Sequence, residues 1–594
     1  MKILVCVKQV PDTAEMRIDP VTNNLLREGV PSIVNPYDTY ALEMALRIRD
    51  EHPGTKVSVL SMGPRQAEST LRQCLAVGAD DAVLVSGSAF SGSDTLATSY
   101  VLSRAIAQIG PFDLILCGRQ AIDGDTAQTG PELAEHLDYP QITLVKELHL
   151  DGGKIRAVRE TRRGMEVWAS SLPALVTVTK PDFEPRCPTV GAKLAAKRAI
   201  IRVLTPDDIR AEAERCGAKG SPTVVRRTFT PAARGNCVFV RDAVKLVELL
   251  LPYINTCERP KSAAPTAPAA LFDTANVWAW IENPSETELL HHGRRIANLL
   301  NTGLTAVTFG HGIESAAHAM RGADRVIFMD GPEFAEYNTE IYTAAMHRLI
   351  KKYGPDTVLF GATCNGRDLA PRLACRLQTG LTADCTGLDA DTRTGHVQWI
   401  RPAFSGNLMA VIECPGTRPQ MGTIRLAGRA APCATGPAPE IIQERPIDLP
   451  LPRAQMIERH DEPETGDSLA NTEIIVAGGR GLGRAENVPL LCGLAQALGG
   501  AVAGSRTAAD AGWLPRTRQV GQTGSMVSPR LYIACGISGA VQHLVGIHGA
   551  DRVVAINSDP EAPIFGAADF GIVGDLREVL PAMVQAAGRL DKTQ

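Results

Sequence analysis

Aromatic side chains are scarce in this 594-residue chain, at 5% of the sequence, while glycine supplies 54 positions. Small residues in that proportion let helices lie close against sheets, the packing of an α/β protein rather than an aromatic-rich β-sandwich. Long apolar runs are missing: no stretch approaches the roughly 18 residues of a membrane-crossing helix. The opening "MKILVCVKQV" is too short for a secretory h-region and meets Lys8 at once. The reading is a soluble, cytoplasmic protein. Excess charge of one sign is also lacking, since the formal net charge is −4, and a general grip on nucleic acid is thereby disfavoured. The 14 cysteines contain no C-x-x-C pair. Iron–sulfur and structural zinc sites are disfavoured, leaving buried free thiols.

The length implies three or four domains, each able to build a core. Short β-branched runs ("KILVCVKQV", "KVSVLSMG", "DAVLVSG", "FDLILCG") alternate with amphipathic segments such as "YALEMALRIRDEH", the pattern of parallel sheets covered by helices. The pattern repeats: "VGADDAVLVSG" (77–87) matches "RGADRVIFMDG" (321–331), and "GPFDLILCG" (110–118) matches "GPDTVLFG" (354–361). Two related domains are expected, at 1–215 and 275–440, and a third at 471–594. Residues 216–255 form an arm with one amphipathic helix that must pack on another domain, while Ala/Pro-rich 256–274 and Pro-rich 441–470 are read as linkers.

In the third domain the strand "RLYIACG" leads into "ISGAVQHLVG", read as a helix opening at Ser538, and "DRVVAINSD" is the next strand. Ligands of such sheets sit beyond the carboxyl ends of the strands. Gly536 and Gly539 would let a diphosphate approach the backbone, although the same glycines could simply make a tight turn. "VAGGRGLG" is not a nicotinamide fingerprint, because Arg484 takes the last required glycine. With Arg506, Gln522, Thr523 and His543 nearby, the ligand would be long, anionic at its middle and polar at a ring. A flavin dinucleotide fits.

"GSRTAADAGW", "QVGQTG", "YIACGISGAVQHL" and "AINSDPEAPIF" together resemble the flavin signature of the electron transfer flavoprotein alpha subunit, over almost all of 275–594. The resemblance implies two related nucleotide-binding-like α/β domains plus a third, doubly wound FAD-binding domain. It places Arg506 beside the flavin ring, Thr523 near N5 and His543 at the O2 edge, where reduction builds negative charge. A charge-assisted hydrogen bond of ~1.5–3 kcal/mol would move a one-electron potential by roughly 65–130 mV. It further implies FAD contacts from Arg480, Ser505, Gln519, Val520, Gly521, Gln522, Gly524, Ile537, Ser538, Ala540, Gln542, Asn557 and Asp575, besides Gly536 and Gly539.

Residues 1–255 resemble the beta subunit of the same family, above all through "GRQAIDGDTAQTGPELAEHL" (118–137), where Pro131 is read as the first helical residue. The implied second site comprises Cys6, Val7, Lys8, Asn35, Asp38, Met62, Gly63, Asp94, Thr95, Gly118, Asp123, Gly124, Asp125, Thr126, Ala127, Gln128 and Thr129. It would hold AMP in simple carriers and a second FAD in members that bifurcate electrons from NADH. "CVKQVPDT", "SGSDTLATSY" and "AIDGDTAQ" resemble the bifurcating type. Thr129, Ser405 and Gly504 depart from it. "EPRCPTVGAKLAAKRAI" resembles a loop that docks on acyl-CoA dehydrogenases, with Val190 as anchor, although a solvated basic face would look the same. The expected function is NADH oxidation with electrons passed to ferredoxin or flavodoxin and to an acyl-CoA dehydrogenase, by a third domain that swivels on its linkers. The alternatives are a shuttle with one FAD and a structural AMP, and a non-redox adenine-nucleotide sensor.

Overall fold

Apolar runs bounded by glycine become the inner strands of three sheets whose centres are parallel. The structure, a computed structural model, describes residues 1–594 apart from 13–16, 19–24, 27–30, 162–163, 230–236, 255–275, 284–287, 404–407, 427–437, 462–468, 470–471, 522–523, 548 and 591–594. The first sheet has ten strands, and its centre runs Asp81–Val85, Lys56–Met62, Lys2–Cys6, Leu114–Gly118 and Ala174–Val178, all parallel. Ile3, Leu4, Val59 and Leu116 are fully buried there, because helices cover both faces. Asp94 caps the helix Thr95–Ile109 by accepting from the Ala97 N–H at 3.1 Å.

The second sheet repeats the order: Arg325–Asp330, Leu304–Gly310, Val277–Trp280, Thr357–Gly361 and Gln420–Ile424, again parallel. The sequence repeat is therefore a repeat of topology. The third sheet has six parallel strands, with Ile474–Gly478 and Leu531–Cys535 at its centre.

The two related halves meet through equivalent helices, Thr129–Leu137 and Cys364–Leu377, each following the strand that carries the repeat. Arg372, 1% exposed, donates to Glu135 at 2.8 Å, and Arg376 grips the same carboxylate at 2.6 and 2.9 Å. Burial would raise the Glu135 carboxyl, but the two guanidinium groups hold it below the usual range. Gln141 and Thr143 donate to Asp368 at 2.9 and 2.7 Å, extending the polar seam.

Two segments exchange between the halves. Val224–Phe229 pairs with Leu408–Glu413 of the second half, Val238–Phe239 adds to the edge of the third sheet, and the helix Ala243–Ile254 follows. That helix buries Leu246, Val247 and Leu250 among Leu491, Leu494, Leu580 and Met583. At about 1.5–3 kcal/mol for each large apolar side chain, this anchors the segment to the third domain. In the other direction, Ala454–Asp461 pairs antiparallel with Gly164–Ser171 and extends the first sheet. The passage 441–470, read from its prolines as a linker, thus carries strands of two sheets, since Glu440–Glu444 also pairs with Arg325–Asp330. Both are edge strands, the one position in a sheet where a neighbouring proline costs no ladder bond.

Among the described residues no helix is long and apolar enough to cross a membrane, and no cluster of His, Cys, Asp or Glu could hold a metal ion. Of the described cysteines, all of them free thiols, Cys74, Cys117, Cys216, Cys375, Cys385, Cys414 and Cys535 are buried as expected, whereas Cys187 and Cys492 are exposed.

Candidate functional site

The carboxyl ends of Ile474–Gly478 and Leu531–Cys535 open onto a glycine-built cradle. The Gly481 N–H donates to the Gly536 carbonyl at 2.9 Å, and a Cβ on Gly481 would lie 2.7 Å from the Gly536 Cα. Two bare backbones therefore run side by side where a ligand would enter. Gly536 and Gly539 take φ of 62° and 88°, in the left-handed region. The helix that follows begins at Val541 rather than Ser538. The left-handed Gly539 interrupts the turn, and the Ser538 carbonyl is taken by the Ile564 N–H at 3.1 Å.

Around the cradle lies a cavity of about 740 Å³, within the roughly 300–1,000 Å³ of small-molecule sites. Its wall includes Arg480, Ser505, Arg506, Gln519, Val520, Gly521, Gly536, Ile537, Ser538, Ala540, Gln542, His543 and Asn557 from the expected set. Asn557 braces the turn, donating to the Ile537 carbonyl at 2.9 Å. Arg506 is largely exposed and pairs with Asp510 at 3.2 Å. Gly524, Gly539 and Asp575 are not part of the wall. Gly524 closes a turn onto the Gly521 carbonyl at 3.0 Å, and the Asp575 carboxylate is engaged by Arg577, which holds it down to about 2. Gln522 and Thr523 lie outside the described residues.

His543 is buried and shares a 2.9 Å hydrogen bond through Nε2 with the Tyr532 hydroxyl. Burial pushes the imidazole down to about 4 and the Tyr532 phenol well above its ordinary range. The ring is therefore neutral at neutral pH. The neutral ring carries its one proton on either nitrogen, and both tautomers satisfy the Tyr532 hydroxyl, which can donate to Nε2 or accept from it. The Val520 backbone faces the ring, yet Nδ1 makes no hydrogen bond of good geometry among the described residues. A buried ring nitrogen without a partner costs about 1–3 kcal/mol and calls for one.

In the N-terminal half the expected residues cluster at the carboxyl ends of the first sheet. Asp38 accepts from the Lys8 and Gly118 N–H groups at 2.7 and 3.2 Å and from Asn35 Nδ2 at 2.9 Å. Asn35 accepts in turn from the Ile122 N–H at 3.1 Å, and Lys8 Nζ meets Asp123 at 2.8 Å. The loop 121–128 is thereby tied to the ends of Lys2–Cys6 and Leu114–Gly118, beside Cys6 and Val7; Met62 and Gly63 end the adjoining strand Lys56–Met62. Asp125 and Ala127 take φ of 52° and 56°, flanking Thr126 next to Gly124. Thr95 donates to Gln128 at 2.8 Å, and Asp94 accepts from Thr223 at 2.7 Å. Thr129 opens the helix, so Pro131 stands third rather than first, still in the turn where its missing N–H has no intrahelical use.

Asp38 also sets a pH dependence. Burial pushes its carboxyl up to about 7, against the Asn35, Lys8 and Gly118 donors that pull it down. An unfolded aspartate titrates near ~3.9, so between there and about 7 the folded protein holds a proton that the unfolded chain has released. Stability from this group is full below the window and falls as pH rises through it. Denaturant titrations at pH 5 and pH 8 check this: wild type loses stability between them, whereas Asp38→Asn shows a flatter response. An identical slope in both proteins would refute it.

The cavity wall also contains side chains that sequence reasoning passed over: Tyr37, Tyr40, Arg119 and Lys180 from the first domain, and Arg367, Asp384 and Arg425 from the second. Arg119, Lys180 and Arg425 each stand one or two residues past the end of a parallel strand, a position that does flag ligand contact.

Comparison with known proteins gives this geometry a family. The electron transfer flavoprotein domain matches residues 22–209 and again 279–448, and the electron transfer flavoprotein FAD-binding domain matches 468–548. The chain belongs to the electron transfer flavoprotein family. It joins beta-like and alpha-like halves in one polypeptide. The alpha subunit of Thermoanaerobacterium thermosaccharolyticum is 43% identical over 328 residues, covering 54% of this chain and 99% of that protein. The beta subunit from the same organism is 48% identical over 258 residues, covering 43% and 98%. Caffeyl-CoA reductase-Etf complex subunit CarD of Acetobacterium woodii is 49% identical over 235 residues, covering 40% and 90%.

The residues present suit FAD. Gly481 and Gly536 give a bare backbone where a pyrophosphate needs close approach, and His543 Nδ1 is a buried polar atom without a partner among the described residues. As a flavoprotein of this family the chain is an electron carrier.

Proposed function

We propose that this electron transfer flavoprotein binds two FAD molecules, oxidises NADH, and divides the electrons between a low-potential carrier, ferredoxin or flavodoxin, and an acyl-CoA dehydrogenase. The observation that carries the reading is that the N-terminal loop reaches the C-terminal cradle: Arg119, Gln120, Ile122 and Asp125 form part of the same cavity wall as Ser505, Gly536 and His543. Electron transfer falls steeply with distance, and a shared wall supports two redox groups within reach of each other. The bound flavins would supply hydride acceptance and one-electron transfer. The chain's part is placement and charge: the Asn35–Asp38 network fixes the 121–128 loop, glycines admit the pyrophosphate, and His543 presents a neutral imidazole. In this reading the third domain turns between partners.

Docking of the dehydrogenase is assigned to the helix Val190–Arg198, capped by Thr189, which leaves Val190 76% and Ile200 95% exposed beside Lys193, Lys197 and Arg198. Arg72 donates to the Ala196, Lys197 and Ala199 carbonyls at 2.9, 3.1 and 3.0 Å, pinning the base of this apolar tip. The place of CarD in a caffeyl-CoA reductase complex agrees with an acyl-CoA-handling partner.

The experiment is extraction of bound nucleotides from the native protein, followed by NADH titration read by absorbance. Two FAD per chain and bleaching by NADH are expected. One FAD with one AMP and no bleaching would replace the proposal with a simple shuttle.

A further inference from the structure

Six cations line the flavin cavity, Arg119, Lys180, Arg367, Arg425, Arg480 and Arg506, against Asp125, Asp384 and Asp559. Most sit at the rim, but Arg425 does not. Its side chain is 6% exposed, and it stands at the carboxyl end of Gln420–Ile424 in the second domain. One terminal nitrogen pairs with Asp384, the other lies 3.5 Å from the Met526 sulfur of the FAD-binding domain, and Nε finds no partner among the described residues. Asp384 is itself shared with Arg367 at 2.5 Å. Behind them the 5%-exposed Arg401 donates to the Gly124 carbonyl at 2.7 Å, and its Nε is likewise unpartnered among the described residues. Three buried or half-buried guanidinium groups thus face two carboxylates, Asp384 and Asp125, which leaves uncompensated positive charge in a low-dielectric wall. Such charge is costly unless an anion answers it.

We propose that Arg425, held by Asp384, supplies the C-terminal flavin with positive charge from outside the FAD-binding domain, so that the second domain sets how far that flavin favours its negatively charged reduced form. The claim concerns the C-terminal FAD alone and is independent of NADH use. Arg425 acts as a fixed charge seated against the cradle, and the Met526 contact keeps it there. It moves no proton.

The test is spectroelectrochemical titration of the full-length holoprotein carrying Arg425→Gln or Arg425→Lys, with melting temperatures measured alongside. Arg425→Gln should lower one flavin couple by about tenfold in the ratio of affinities for reduced and oxidised flavin, which is about 59 mV for one electron. Arg425→Lys, which keeps the charge, should retain most of the wild-type potential. An unchanged couple in Arg425→Gln overturns the proposal, as does an equal shift in both variants, because the charge would then not be the cause. If Arg425→Gln does not fold, Arg367→Gln gives the same readout from a more exposed position. It should lower the same couple, since Asp384 would then bear on Arg425 alone, and no shift there overturns the proposal as well.

Discussion

Gly539→Ala should leave a folded protein that has lost its C-terminal flavin. The backbone there has φ of 88°, and the added methyl carbon would meet Ile564 N at 2.2 Å, Ile564 Cα at 2.5 Å and the Pro563 carbonyl carbon at 2.8 Å. All three are backbone atoms, so no side chain can swing aside. Either the 536–540 turn opens or 563–564 retreats, and Ala562 and Pro563 are themselves cavity wall. A left-handed alanine adds about 1–2 kcal/mol of its own. Loss of affinity by a hundredfold or more is expected, each tenfold being about 1.4 kcal/mol. The check is the flavin-to-protein absorbance ratio after gel filtration. A full complement of flavin in the variant would show that the turn does not need glycine here.

The second large effect lies far from the cavity. Arg372→Ala removes a buried cation from the seam between the related halves, and breaking a buried ion pair from one side costs about 3–5 kcal/mol. Glu135 keeps Arg376, which is 28% exposed, but loses the partner that fills the interior. Arg372 also reaches Gln141 at 3.4 Å, so its loss leaves a hole beside the Gln141–Asp368 bond. For a cooperative unit the size of one of the two related halves, about 150–250 residues, each kcal/mol moves the melting temperature by about 2–4 °C, and a fall on the order of 10 °C in that unit's transition is expected by calorimetry. Arg372→Ala combined with Glu135→Gln should cost less than the sum of the two single changes, because each single change already removes the one ion pair they share. A melting temperature within a degree of wild type would mean that packing alone holds the seam.

The parallel cores were legible because strands buried on both faces read as unbroken apolar runs, "KILVC", "DAVLV" and "LILCG", and because the repeat carried them twice. The cradle was legible for a related reason, since Ser505 to His543 lie close together in sequence. The opposite wall was not, because Tyr37, Lys180 and Arg425 come from distant segments and only folding brings them together. Gly539 marked the turn but concealed the true helix start, which a residue at φ of 88° delays to Val541. Proline hid Ala454–Asp461, whose polar, exposed face lacks the signature of an interior strand.

The crossed segments bear on why one polypeptide serves where related proteins use two. Residues 224–229 and 238–254 are lent forward to the alpha-like half and 454–461 are lent back to the beta-like sheet. Each half is thus completed by a piece of the other, like two hands with fingers interlaced. Peptide continuity through 255–275 then contributes equal dosage and a high local concentration during assembly, while the cohesion of the finished particle resides in the clasp.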